Sequence, residues 1–439
     1  MKTLEQKSKE RKTKNQKFVF ENTLKFAQQS DEEDGLKNFR SKFHVPQHNG
    51  RDCIYFTGNS LGLQSKKTKE YVNQELEDWA QLGVEGHFKA KNPWFSYHEI
   101  FPEQLSKIVG ALPQEIVAMN QLTVNLHVLL TTFYRPAKTR FKIICESKAF
   151  PSDQYALESQ VKLRGLNPID AIVEVKPRED ENIRTEDIIS TIQQNGQSTA
   201  LVIFGGVNYY SGQVLDMKSI TEAAHSVGAY AGFDLAHAIG NVELHLHDWK
   251  ADFASWCSYK YLNSGPGGVA GIFIHQKHVG DTSLPRLAGW WGHNKETRFQ
   301  MRPGFQPIPT AEGWQLSNAP ILSMAAHKAA LDIFDEAGMG ALIQKSKKLT
   351  GFLFYILNKI NEEHHDKLIE IITPQTESEY GCQVSLLMLK KGKKVFGELS
   401  KGGVVADWRE PNVIRIAPVP LYNTFEDVWR FGQILKTSL

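Results

Sequence analysis

The sequence lacks long apolar runs, and no segment approaches the roughly 18 residues that a membrane-spanning helix needs. The basic opening stretch, Met1 to Lys17, is not followed by the apolar core of a secretory signal. The four cysteines, Cys53, Cys145, Cys257 and Cys382, are far apart and form no C-x-x-C pair. This pattern argues against a disulfide framework or a zinc ribbon and is typical of a reducing compartment. We therefore expect a cytoplasmic protein that is not embedded in a membrane.

The sequence also lacks an excess of charge of one sign. It has 51 Lys and Arg residues and 49 Asp and Glu residues, which gives a net charge of +2. The composition thus gives no reason to expect a nucleic-acid partner. Hydrophobic residues at 41% and charged residues at 23% are typical of a globular protein. The basic opening stretch is expected to be a solvated helix or a frayed arm rather than a nuclear address.

The length of 439 residues predicts two or three domains at about 150 residues each. From residue 141 onward, strand-like runs such as Ala200–Phe204 and Ala229–Phe233 alternate with helical ones such as Ser219–Val227. This alternation predicts an α/β fold with a mainly parallel sheet between helices. Near Pro320 the hydrophobic pattern changes to that of long helices followed by short strands. We predict an N-terminal helical or irregular segment at 1–50, a large α/β domain at 51–318 and a smaller C-terminal α/β domain at 319–439.

Two residues stand where chemistry is expected in such a sheet. Asp234, in Gly232–His237, directly follows a buried apolar run, so it is predicted at the carboxyl end of a strand, where open α/β sheets bind ligands. Lys260 follows 26 residues later, in Trp256–Leu262, just before the glycine-rich stretch Gly265–Gly268. A lysine among aromatic and small residues is expected to be desolvated and therefore nucleophilic toward an aldehyde. Taken singly, Asp234 could be only a helix-capping residue.

Together the two residues match what pyridoxal 5'-phosphate needs: a lysine for a Schiff base and a carboxylate against the pyridine nitrogen. We predict that Lys260 carries this cofactor as a Schiff base. A phosphate site is predicted at Leu122 and Thr123, which open a helix whose free N–H groups favour an anion, although Thr123 could equally be only an N-cap. Phe150–Asp153 could supply an aromatic lid and a polar contact, or be only a turn.

In this order, the segments resemble the kynureninase family, which belongs to the aminotransferase-like (fold type I) superfamily of pyridoxal-phosphate enzymes. The resemblance extends over nearly the whole chain beyond residue 50. The stretches around Lys260 and Arg415 are its most specific parts. The matching segments are Phe56–Leu63, Leu122–His127, Phe150–Asp153, Gly232–Ala238, Trp256–Asn263, Gly289–His293 and Arg415–Asn423.

The resemblance implies a role for each matching residue. Lys260, Tyr259 and Asp234 are the implied catalytic residues, with Tyr259 as the candidate proton donor to the substrate β-carbon. Arg415 would bind the substrate α-carboxylate as a bidentate pair. His87 and Asn318 would contact the aromatic ring of the substrate. The implied cofactor contacts are Leu122, Thr123, Phe150, Pro151, Ser152, Asp153, Asp234, His237, Tyr259, Lys260, Trp290 and Asn318.

The resemblance also implies a homodimer whose active site lies at the subunit interface, with Trp290 and Asn318 donated by the second subunit. One departure is visible at Gly205, where the family often has a hydroxyl residue. A hydrogen bond to the cofactor is therefore expected to be missing there or replaced by water.

The reaction implied is hydrolysis of the Cβ–Cγ bond of L-kynurenine, or of 3-hydroxy-L-kynurenine. The products are anthranilate or 3-hydroxyanthranilate and L-alanine, in tryptophan catabolism or NAD biosynthesis. An aminotransferase is the nearest alternative, since it shares the aspartate, the lysine and the arginine. A cysteine desulfurase needs a cysteine over the cofactor, and Gly289–Asn318 contains none. A non-enzymatic cofactor-binding regulator carries an added DNA-binding domain, for which the first 50 residues are too few.

No metal site is predicted. Glu243, His245 and His247 alternate along the chain and could be read as metal ligands, but a His-x-His pair on a surface turn is more often solvated.

Overall fold

The computed structural model describes residues 18–363 and 367–439, so the predictions for residues 1–17 lie outside the described part. The strands are β1 (Gln47–His48), β2 (Arg51–Asp52), β3 (Ile54–Tyr55), β4 (Ile116–Ala118), β5 (Lys142–Glu146), β6 (Ile172–Val175), β7 (Thr199–Gly205), β8 (Tyr230–Asp234), β9 (Phe253–Trp256), β10 (Gly271–Ile274), β11 (Ile369–Ile371), β12 (Val384–Met388), β13 (Val404–Val405), β14 (Asp407–Arg409) and β15 (Val413–Ile416). The α-helices are α1 (Leu24–Glu33), α2 (Thr68–Leu82), α3 (Gly86–Lys89), α4 (Pro102–Val109), α5 (Leu122–Phe133), α6 (Pro151–Leu163), α7 (Pro168–Ala171), α8 (Thr185–Asn195), α9 (Met217–Ser226), α10 (Gln276–Val279), α11 (Ile321–Ala337), α12 (Met339–Glu363), α13 (Gly392–Lys401) and α14 (Phe425–Ser438).

The central sheet, within the described ranges, has seven strands in the order β4-β10-β9-β8-β7-β5-β6. Strands β9, β8, β7, β5 and β6 run parallel to one another, and β10 runs antiparallel to both β9 and β4. The prediction of a mainly parallel sheet is therefore confirmed. The predicted strands at Ala200–Phe204 and Ala229–Phe233 correspond to β7 and β8 to within one residue at each end.

Both faces of this sheet are buried, which explains why its strands read as continuous apolar runs. Side chains alternate between the faces along a strand. Ile144 and Val202 belong to one hydrophobic cluster, and their neighbours Ile143 and Leu201 belong to another on the opposite face. Helices therefore cover the sheet on both sides, as predicted.

A second sheet lies in the C-terminal part of the chain. It is antiparallel, with the strand order β11-β12-β15-β14, and packs with α12, α13 and α14 around its own hydrophobic core. Strand β3 pairs in parallel with β13, and Ile54 and Phe56 enter this core. Helix α11, by contrast, packs against α2. The division into units at 1–50, 51–318 and 319–439 stays a prediction.

Parallel pairing places the carboxyl ends of β5, β7 and β8 side by side at one edge of the central sheet. Gly205 at the end of β7 lies directly opposite Asp234 at the end of β8, and β5 beside them ends at Glu146. Helices α5 and α6 begin near the same edge. None of the helices in the described residues is long and apolar enough to cross a membrane.

Candidate active site

A cavity of about 220 Å³ lies at this carboxyl edge. The strand ends, the turn after β9 and the first turns of α5 and α6 all contribute to its wall. Its lining residues are Gln121, Leu122, Thr123, Glu146, Phe150, Ser152, Asp153, Gly205, Val207, Tyr209, Asp234, Ala236, His237, Tyr259 and Lys260.

Lys260 lies in the turn after β9, with its Nζ 2.9 Å from His237 Nε2. His237 is only 6% exposed. Burial, followed by the nearby charge of Lys260, holds the pKa of the His237 imidazole well below its ordinary value. The ring is therefore neutral, and its Nε2 accepts a hydrogen bond from the Lys260 amino group.

Phe150 forms one wall beside this amino group. Its ring centroid lies 5.9 Å from Lys260 Nζ, and the ring packs edge-to-face against Tyr209 at 5.2 Å. Phe150 is 42% exposed and lines the cavity. Its free face is therefore available for stacking on a flat aromatic ligand.

Three carboxyl groups, Glu146, Asp153 and Asp234, face the same cavity. Burial is the largest cause that raises the pKa of each, and the pKa of Asp153 rises furthest because Asp234 and Glu146 repel its charge. The Ala236 N–H, which donates to Asp234 Oδ1 at 2.6 Å, and the charge of Lys260 oppose the rise at Asp234. Carboxyl groups whose negative charge is disfavoured in this way gain stability when a cationic ligand binds beside them.

Glu146 is a site residue that the sequence predictions do not include. Its Oε1 accepts a hydrogen bond from the Gly205 N–H at 2.9 Å, and its Oε2 accepts one from Asn208 Nδ2 at 2.7 Å. A Cβ atom at Gly205 would lie 2.8 Å from Glu146 Oε1. The space of the family's hydroxyl residue is therefore taken by this carboxyl group. An acidic residue at the end of an apolar strand, the pattern that identified Asp234, could have found Glu146.

The other end of the cavity is formed by the first turn of α5. Helix α5 starts at Leu122 after Gln121, so Thr123 lies inside the first turn and is not the N-cap. The backbone N–H groups of such a turn and the helix dipole favour an anion. A phosphate therefore fits at this end, while Lys260, Asp234 and the Phe150 face suit an aldehyde, a pyridine nitrogen and an aromatic ring. The donor set fits pyridoxal phosphate.

Tyr259 and Arg415 differ in their position relative to this cavity. Tyr259 lines it, and burial raises the pKa of its phenol, so the hydroxyl keeps its proton at neutral pH. Arg415 is 1% exposed and lies behind Tyr209, whose carbonyl oxygen accepts a hydrogen bond from Arg415 Nη1 at 2.5 Å. Arg415 Nη2 donates to Asp407.

Comparison with known proteins places the chain in a family. The kynureninase from Flavobacterium psychrophilum is 58% identical over 423 residues, covering 96% of this chain and 99% of that protein. The kynureninase from Mus musculus is 48% identical over 426 residues, covering 93% of this chain and 92% of that protein. The chain belongs to the kynureninase family. A family model described as the kynureninase C-terminal domain also matches residues 342–435.

Solved structures resemble the kynureninase-family chain in fold. A cysteine desulfurase from Thermococcus onnurineus NA1 has a TM-score of 0.72 at 18% identity, covering 88% of this chain and 94% of that one. A complex of the cystine C-S lyase C-DES with its reaction product has a TM-score of 0.74 at 15% identity, covering 87% of this chain and 97% of that one. The prediction of an α/β, fold type I architecture is confirmed.

The single chain does not bring every residue expected from the kynureninase family into the cavity described above. Trp290 is 44% exposed and packs against Phe299 and Trp291, and Asn318 is exposed. His87 Nδ1 donates to the Val84 carbonyl oxygen, 3.0 Å away, and the ring packs near Trp94. Pro151 lines a neighbouring cavity of about 500 Å³.

His245 and His247 each contact a different glutamate. His245 Nε2 lies 3.1 Å from Glu243, whereas His247 Nδ1 lies 2.9 Å from Glu115. Within the part of the chain that the structure describes, Glu115, His247 and His275 do come close together. His275 Nδ1, however, accepts a hydrogen bond from the Lys277 N–H, so one of its ring nitrogens is already engaged.

Proposed function

We propose that the cavity at the carboxyl edge of the central sheet is the site of hydrolytic Cβ–Cγ cleavage of L-kynurenine, yielding anthranilate and L-alanine. The chain is a pyridoxal-phosphate enzyme of the kynureninase family that hydrolyses this carbon–carbon bond. The single observation that supports this cavity is that Lys260 and Asp234 meet in it beside Phe150 and the first turn of α5. Pyridoxal phosphate, when bound, supplies an electron-accepting ring that stabilises negative charge developing on the substrate.

In this proposal, the residues at the sheet edge hold the cofactor. Lys260 binds its aldehyde, and Asp234 binds the pyridine nitrogen and keeps it protonated. Asp153, hydrogen-bonded to Asp234, supports that contact, and His237 orients the lysine through its 2.9 Å hydrogen bond. Leu122 and Thr123 bind the phosphate, with Ser152 beside the ring. Phe150 covers the ring face.

Lys260 and Tyr259 are the proposed proton carriers. The Lys260 amino group removes the proton from substrate Cα. His237 accepts a hydrogen bond from it, and because burial lowers the pKa of its imidazole, the ring is too weak a base to take up that proton. Tyr259 delivers a proton to substrate Cβ after the bond to Cγ breaks. Burial raises the pKa of its phenol, so at neutral pH the hydroxyl carries the proton that this step transfers. Arg415 binds the α-carboxylate and so fixes which bond faces the ring.

The decisive experiment is to incubate the cofactor-loaded protein with L-kynurenine and follow anthranilate fluorescence. We expect anthranilate and L-alanine in equal amounts. Keto-acid formation with an amino acceptor, without anthranilate, would instead identify an aminotransferase. Borohydride reduction should fix the cofactor to the wild-type chain and to the control Lys401→Ala, which changes an exposed lysine. A Lys260→Ala variant that still retained a reduced covalent adduct would contradict the assignment of Lys260.

We further propose that two copies form the active unit, with Trp290 and Asn318 completing the partner's site and reading the substrate ring together with His87. The exposure of Trp290 and Asn318 away from the cavity of their own chain supports this. Mixing inactive Lys260→Ala with inactive Trp290→Ala subunits tests it. Random reassociation leaves one intact site in half of the dimers, so about a quarter of the wild-type activity should return. Mixtures that stay inactive, although both variants dimerise, would show that Trp290 serves its own chain.

The same family relationship leads us to propose that the enzyme acts in the cytoplasm, in tryptophan breakdown or in the supply of NAD. Accumulation of kynurenine in cells that lack the protein is the measurement that checks this placement.

A further inference from the structure

Arg415, which binds the substrate carboxylate in the proposed function, already holds a carboxylate of its own chain. Its Nη2 donates to Asp407 Oδ2, and its Nη1 donates to the Tyr209 carbonyl oxygen. A guanidinium grips a carboxylate bidentately through Nη1 with Nη2 or through Nε with Nη2. Because Nη2 belongs to both edges, Asp407 competes with a bound substrate for Arg415.

The pairing of Asp407 with Arg415 is built into the C-terminal sheet. Asp407 on β14 lies directly opposite Arg415 on the antiparallel strand β15. The Cβ atoms of such cross-strand partners are about 4.5–5.5 Å apart, so their side chains meet whenever the strands are in register. The contact therefore follows from backbone pairing and does not depend on a chance arrangement of long surface side chains.

Buried Arg415 has spare donor capacity. It is 1% exposed, and its Nε has no hydrogen-bond partner among the residues that the structure describes. A buried donor without an acceptor destabilises the folded protein. A ligand carboxylate that reaches Nε and Nη2 together therefore gains more binding free energy than it would from a solvated arginine.

Arg409 gives Asp407 a second cation to pair with. Arg409 Nη2 donates to the same Asp407 Oδ2 at 3.0 Å, and Arg409 lines the cavity of about 500 Å³ that Phe150 and Tyr209 share with the cofactor cavity. Two guanidinium groups thus donate to the same oxygen of one carboxylate. With a substrate carboxylate on Arg415, Asp407 would pair with Arg409 alone, so that each carboxylate has one guanidinium partner.

We propose that Asp407 is a positioning residue that holds Arg415 in the substrate-free enzyme, and that the α-carboxylate of the substrate displaces it from Nη2 while Arg409 retains it. This inference rests on the proposed function. It makes substrate binding an exchange of one carboxylate for another, so that ligands without a carboxylate leave Arg415 on Asp407. Asp407 therefore lowers the affinity of the site for carboxylate ligands and leaves its affinity for the corresponding amines unchanged.

The test compares Asp407→Asn with the wild-type holoenzyme on L-kynurenine. Asparagine keeps the size and one acceptor but removes the competing charge. We expect KM to fall by about two- to fivefold, the range typical of a partly exposed ion pair, with a much smaller change in kcat. Arg409→Gln should raise KM, because Asp407 then has only Arg415 to pair with. Glu398→Gln, which removes an exposed carboxylate of α13, is the matched control and should change neither constant.

A second readout separates this exchange from a general structural effect. Inhibition constants are measured for a non-cleavable carboxylate analogue of kynurenine and for the amine obtained from kynurenine by decarboxylation. Asp407→Asn should strengthen inhibition by the carboxylate only. Unchanged KM in Asp407→Asn, or equal strengthening for both inhibitors, would overturn the inference. A wild-type enzyme that releases no anthranilate would instead overturn the proposed function.

Discussion

Two buried aspartates at opposite ends of the central sheet should respond in opposite ways to the same substitution. Asp252 precedes β9 and is 1% exposed. It accepts hydrogen bonds from the Ala231 N–H at 2.7 Å and from His225 Nε2 at 2.8 Å, and it pairs with Lys277 at 2.7 Å. Burial alone would raise the pKa of Asp252, but hydrogen bonds from His225 and His278 and the charge of Lys277 outweigh it and hold this pKa well below its ordinary value. Burial raises the pKa of Asp234. The folded chain thus favours the charge on Asp252 and disfavours the charge on Asp234.

Asp252→Asn should therefore destabilise the protein and leave its kinetics unchanged. Removing one partner from a buried ion pair costs about 3–5 kcal/mol, and asparagine keeps one acceptor, so we expect a loss near the lower end of that range. Because the pKa of Asp252 is depressed in the folded state, its stabilisation is present above its ordinary pKa of 3.8 and is lost as pH falls below that value. The difference between wild type and variant should shrink in the same acidic range.

Asp234→Asn should show the reverse pattern. The pKa of Asp234 is raised in the folded state. Its ionisation therefore lowers the unfolding free energy of the cofactor-free protein as pH rises above 3.8. Asparagine carries no charge, so the variant does not lose stability in this way. Asparagine can still accept from the Ala236 N–H. We expect unchanged or increased stability with kcat reduced by at least about a hundredfold, as when a preorganised charge is removed from an active site.

The assay is urea unfolding of the cofactor-free proteins, followed by kinetics of the loaded enzymes under folded conditions. A loss of stability in Asp234→Asn equal to that in Asp252→Asn would refute the reasoning. So would a large fall in kcat for Asp252→Asn in fully folded protein.

Three further substitutions test the packing around the site. Gly205→Ser should cost about 1–3 kcal/mol of unfolding free energy, because its Cβ lies 2.8 Å from Glu146 Oε1 and forces that carboxyl group to shift; a urea midpoint equal to that of wild type would contradict this. Phe150→Ala should weaken cofactor retention in a dialysis assay, yet destabilise by less than the roughly 3 kcal/mol expected of a fully buried phenylalanine, since the ring is 42% exposed; undiminished retention would remove Phe150 from the cofactor site. Arg298 Nη2 donates to the Trp291 carbonyl oxygen at 2.6 Å, and its guanidinium carbon lies 4.4 Å from the centroid of the Trp291 ring. Arg298→Lys should cost about 1–3 kcal/mol of unfolding free energy, because lysine cannot make both contacts at once. Calorimetry that shows no shift in Tm would contradict this.

Much of the candidate site could be predicted because its residues follow strands with a strong local signal. A continuous apolar run that ends in Asp234, and a lysine before a glycine-rich turn, are visible without knowing any contact. Glu146 ends β5 with the same signal. Tyr209 lines the cavity because the turn after β7 is held at the sheet edge, where Asn208 donates to Glu146, and local periodicity does not specify such a contact.

The sequence by itself determined the alternation of strands and helices and membership of a family, and it predicted the cofactor lysine and its aspartate, because each depends on residue type and short-range order. Only the tertiary structure decided which groups meet. Parallel register placed Glu146, Gly205 and Asp234 at one edge, and antiparallel register set Asp407 against Arg415. The physical reason is that a hydrophobic pattern specifies which face of a strand is buried, whereas the pairing of distant strands depends on how the whole core packs.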